Sequence, residues 1–89
     1  MVGSVQVFTR ELRSLPAWLL CEYLVDLGGA AGPDGTITGP GWSAAITQIE
    51  DFVIGSLRVG QIRLVWQGNA QAVETVWPQV EQKLQRAGG

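Results

Sequence analysis

Apolar and polar positions alternate along much of this chain, and a 3–4 spacing takes over where the alternation stops. Ser4–Phe8 (SVQVF) alternates and is rich in β-formers, which predicts a short strand. Ser14-Leu15-Pro16 reads as a helix start, with serine as the cap and proline in the first turn. The helix is predicted from about Leu15 to Leu27, with Ala17, Leu20, Cys21, Leu24 and Leu27 as its buried stripe. Glu22 and Asp26 mark its wet face, and Trp18 stands one turn before Glu22. Gly28-Gly29 supplies a left-handed cap, and residues 28–35 (GGAAGPDG) read as a loop. A short strand follows at Thr36–Thr38, then a turn at Gly39-Pro40-Gly41. Trp42–Ile49 is predicted as a strand with Trp42, Ala44 and Ile46 on one face. Ile49 breaks that phase, which a β-bulge near Thr47–Gln48 explains.

Val53–Val59 and Ile62–Gln67 read as two strands joined by a two-residue turn at Gly60-Gln61, with glycine at the first central position. That turn sets Val59 against Ile62, Arg58 against Arg63, and Leu57 against Leu64. Gly55, Leu57, Val59, Ile62, Leu64 and Trp66 then form the core face. Asn69 is a good cap for the last helix, whose apolar seam is Val73, Trp77, Val80, Leu84 and Ala87. Pro78 sits within it, removes a backbone donor and predicts a break just before itself. The order is β-α-β4-α: an α+β domain over residues 1–89, with an antiparallel sheet of four to five strands and two helices on one face.

Length and composition narrow the function. Eighty-nine residues make one small domain. The charged fraction of 16% beside 46% apolar excludes a disordered chain. A net charge of −2 without a basic cluster argues against nucleic-acid binding. No apolar run reaches the length of a membrane span, and the N-terminus has no signal-peptide pattern, so a cytoplasmic setting is expected. The absence of histidine removes Ser-His-Asp and Cys-His nucleophile systems, and with a single cysteine it removes the usual zinc sets. No cofactor, metal site or enzymatic activity is expected.

Four stretches resemble a known domain: Tyr23–Gly29 (YLVDLGG), Ile37–Trp42 (ITGPGW), Ile54–Gly60 (IGSLRVG) and Lys83–Gly89 (KLQRAGG). They are similar to an uncharacterised bacterial domain found as the C-terminal half of proteins related to the molybdopterin synthase small subunit. The resemblance covers Leu15 to Gly89 and implies a TBP-like, helix-grip arrangement. It also implies a link to molybdopterin and sulfur-carrier biology, and it carries over no catalytic residues. The ubiquitin-like domain that stands in front of it in those proteins has no counterpart among these residues.

Candidate surfaces follow from chemistry. Arg58 and Arg63, if opposite one another, repel by up to about 1 kcal/mol. Either a local carboxylate such as Glu50 or Asp51 offsets this, or an acidic partner or small anionic ligand does. Trp18 and Trp42, beside a wet face and a turn, are candidates to line an opening or a subunit contact. Trp66 and Trp77 fall on apolar seams and read as core. Gly88-Gly89 serves either as a plain helix stop or as the activated tail of a carrier. Two functions therefore stand side by side: a non-enzymatic binding or interaction module, and a carrier activated at Gly89. Exposed strand edges predict a homodimer.

Overall fold

The computed structural model describes residues 5–13 and 15–86, apart from the side chain of Phe52. Strand β1 (Gln6–Arg13) is followed by helix α1 (Ala17–Asp26), then β2 (Ala30–Ala31), β3 (Thr36–Gly39), β4 (Trp42–Ile54) and β5 (Leu57–Gly68). Two helical pieces close the chain, α2 (Ala70–Thr75) and α3 (Trp77–Arg86). The strands form one antiparallel sheet in the order β1-β5-β4-β3-β2. The α+β class and the antiparallel sheet agree with the sequence reading.

The predicted helical stripe is recovered. Leu20 and Leu24 are buried, with Ala17, Cys21 and Leu27 packed beside them. The helix starts two residues later than predicted. Its first turn is closed by Leu19 and Leu20 N–H donating to the Pro16 carbonyl, while the proposed Ser14 cap lies outside the described residues. The Gly28-Gly29 stop holds: Gly28 has φ +99° and its N–H bonds to the Val25 carbonyl, while Gly29 N–H bonds to that of Leu24. This is the paired closure expected of a left-handed cap. At the other end, Asn69 caps α2 by accepting from Ala72 N–H at 2.9 Å. The break before Pro78 falls at Val76, and α3 buries Trp77, Val80 and Leu84. Ala87, the predicted end of that seam, lies outside the described residues.

All three helical pieces contribute to one core on one side of the sheet. Its centre is aromatic. Trp66, fully buried, lies 6.1 Å from Trp42, 5.2 Å from Trp77 and 6.0 Å from Phe8, and Phe8 stacks on Trp77 at 4.5 Å. Each such ring buries roughly 150–250 Å², a large share of the interior of a domain this small. The Trp42 ring rests on the backbone at Gly39, where a Cβ would collide with Trp42 Cε2.

The hairpin differs from the sequence reading. Gly60-Gln61 is not a turn. The chain reverses at Gly55-Ser56, where Gly55 has φ +60°, and Ile54 pairs with Leu57. The two strands predicted at 53–59 and 62–67 are therefore the end of β4 and a single long β5. The strand total still reaches five, because Ala30–Ala31 in the predicted loop pairs with Thr38 and Ile37. The bulge exists but lies further on: Ile49 pairs with Gln61 and Phe52 with Val59, so β4 carries one extra residue at Glu50–Asp51. The first strand, read as ending at Phe8, continues to Arg13.

The long hairpin outgrows its neighbours. β1 ends opposite Gln61, and β3 reaches only Ala45. Beyond those points residues 50–60 form a two-stranded arm, with no third strand among the described residues. At roughly 3.3 Å per residue, β4 alone accounts for most of the molecule's 52 Å long axis.

Candidate functional site

The side of the sheet away from the helices is uncovered. Three cross-strand rows run over it. Val7, Gln67, Ser43 and Thr38 make one, with Gln67 Nε2 donating to Ser43 Oγ at 3.1 Å. Thr9, Val65, Ala45 and Thr36 make the next. Glu11, Arg63 and Thr47 make the third. Small, hydroxyl and amide side chains predominate, so the face is flat and nearly neutral.

Arg63 stands on this face, as predicted, but its partner is Glu11. The guanidinium donates to Glu11 Oε2 from Nη2 at 2.8 Å and from Nε at 3.3 Å. The two residues are direct register partners on β5 and β1. Both side chains are nearly half exposed, so the pair contributes only about 0–1 kcal/mol. The sequence reading missed Glu11 because it ended the first strand too early.

Arg58 is not opposite Arg63. Both lie on β5, an odd number of residues apart, and alternation sends them to opposite faces. Arg58 pairs in register with Val53 near the tip of the arm. The predicted repulsion therefore does not arise. Leu57 and Val59, predicted in the core, fall on the open side of the arm for the same reason. A one-residue change in phase flips every side chain, and the misplaced turn produced that change.

The two tryptophans offered as surface candidates part company. Trp18 is 65% exposed on the first turn of α1. It walls a groove of about 470 Å³ with Pro16 and Ala17 on one side and Gln48 and Gly60–Ile62 on the other. Trp42 is buried in the aromatic core, although its edge contributes to a cleft of about 430 Å³ beside Leu27, Asn69 and Thr75. The indole N–H groups of Trp42 and Trp66 are buried with no acceptor among the described residues.

An ion pair and a ring contact also link β1 to the last helix. Arg10 reaches Glu81 at 3.5 Å and lies 5.3 Å over the Trp77 ring. With Leu12 beside Leu84, α3 runs alongside β1. Gly88 and Gly89 lie outside the described residues. Among the described residues no group of three His, Cys, Asp or Glu could hold a metal ion, and no helix is long and apolar enough to cross a membrane.

An α+β module whose described residues leave one face of its antiparallel sheet uncovered is therefore the class at hand. Over residues 8–89 the chain matches the archaeal MoaD-like proteins, and it belongs to that family. No curated protein matches it.

Proposed function

We propose that this chain is a non-enzymatic partner-binding module of sulfur-carrier biology, with the open side of its sheet as the docking surface. The observation that carries this reading is the uncovered face spanning β1, β5, β4 and β3, whose Arg63 is matched internally by Glu11. A flat, nearly neutral surface with the half-buried Val65 and the exposed Val7 at its centre and rim loses little on desolvation. Arg63 gives that face a cation that an acidic partner group or a small anionic ligand takes over by exchange with Glu11. Membership in the MoaD-like family supports the biological setting. The element order, with four strands between the first helix and the last, supports a helix-grip arrangement of the TBP-like kind.

Capture of partners from the source cell tests this. Thr47→Glu places a charge beside Arg63 on the open face without touching the core. The expected result is at least a tenfold loss of captured partner with an unchanged fold. Undiminished capture contradicts the docking surface.

A second reading is a carrier activated at its terminal carboxylate. The family match extends through Gly88 and Gly89, which favours it. Intact-mass measurement on chain recovered from cells separates the two: a thiocarboxylate or a branched adduct at Gly89 belongs only to the carrier.

A further inference from the structure

The arm carries apolar side chains that none of the described residues covers. Val53, Ile54 and Leu57 flank the Gly55-Ser56 turn and are each more than half exposed. Ile54 and Leu57 are register partners on the open side, while Val53 belongs with Arg58 on the helix side. The tip is thus apolar on both faces. It is a knob, and a knob is buried by a concavity rather than by a flat surface.

The groove beside Trp18 is such a concavity, and it lies at the base of the same arm on the helix side. The tip does not reach its own groove, because a straight ribbon of about six residues holds the two roughly 20 Å apart. A second copy does reach it. Two arms crossed antiparallel about a two-fold axis at mid-length place each tip at the other's base.

Charge selects the same arrangement. Glu50 and Asp51 sit in the bulge near the base, and Arg58 sits near the tip. Among the described residues none of the three has an ion-pair partner. The antiparallel crossing brings Arg58 of each copy to Glu50–Asp51 of the other, so both contacts form at once. We propose that this chain forms a two-fold homodimer by crossing its arms, each Val53–Ile54–Leu57 tip seated in the other copy's groove against Trp18. The crossing leaves both open sheet faces free. About eighteen residues a side take part, just under the 20–30 of a standard interface, which fits association in the micromolar range.

Gly60 makes the test sharp. A Cβ there meets nothing within 4 Å, and its φ is not left-handed, so a side chain fits the single copy while filling the groove floor. Sedimentation equilibrium at roughly 100 µM is expected to give about twice the chain mass of 9.6 kDa. Gly60→Phe is expected to weaken the dimer at least tenfold with unchanged circular dichroism. Arg58→Glu alone, and Glu50→Arg with Asp51→Arg alone, are each expected to sediment as monomers. Mixing those two chains at physiological salt restores the dimer, because every crossed contact is then between opposite charges. A wild-type monomer, a Gly60→Phe dimer of full strength, or a mixture that stays monomeric overturns the proposal.

Discussion

The two ends of the β4–β5 hairpin make the most instructive comparison in this molecule. Ile62, Leu64 and Trp66 alternate inward and are buried, Leu64 and Trp66 completely. Val53, which pairs in register with Arg58 and lies on the same helix side out in the arm, is 56% exposed. The difference lies in the cover and not in the strand. Helices α1, α2 and α3 lie over the body half of the β4–β5 hairpin, which β1 and β3 flank, whereas among the described residues the arm half has neither a helix above it nor a third strand beside it. Alternation says which residues share a face. It does not say whether anything lies against that face.

The sharpest break of the comparison is a pair of truncations on the helix side of the one hairpin. Trp66→Ala removes the ring at the centre of the aromatic cluster and should cost about 3–5 kcal/mol. Val53→Ala should stay within about 0.5 kcal/mol in the dilute monomer. Urea unfolding of both variants reads the contrast, and equal losses would mean that the arm is covered within one chain. Next in size is Gly39→Ala. The new methyl meets the buried Trp42 ring, which has nowhere to swing, so a loss of about 1–3 kcal/mol is expected in the same assay. Asn69→Ala removes the α2 cap and should cost about 1 kcal/mol, seen as a lower melting temperature. The smallest effect belongs to the open face. Glu11→Gln loses the exposed pair with Arg63 and should change stability by no more than about 1 kcal/mol, fading as salt is added.

The body of the fold was legible in the sequence because its signals are local and agree with one another. Leu20 and Leu24 at helical spacing, Gly28-Gly29 at the stop, Asn69 at the cap and Pro78 at the break each carry their own physics. The arm was not legible, because two candidate turns compete there. Gly55-Ser56 and Gly60-Gln61 both place glycine before a polar residue between β-formers, and Gly-Ser belongs to the favoured hairpin dipeptides. Preferring the later turn brought Arg58 opposite Arg63 and moved Leu57 and Val59 into the core. The bulge at Glu50–Asp51 was detected only as a phase slip, because one inserted residue shifts the phase without marking its own position. On the candidate site, Arg63 was placed on the correct side. Its partner Glu11 was hidden because TRELR does not alternate in hydropathy: Arg10 occupies an inward position and places its guanidinium over Trp77 at the sheet edge.

Residue-resolved amide hydrogen exchange on dilute protein tests the central claim, that one long hairpin runs from a covered body into an arm that none of the described residues covers. Amides of Leu64 and Trp66 should exchange only through global unfolding, while those of Val53 and Arg58 should exchange at least about a hundredfold faster through local opening. Equal protection along the whole of β5, or a fast-exchanging turn at Gly60-Gln61 in place of Gly55-Ser56, would contradict it.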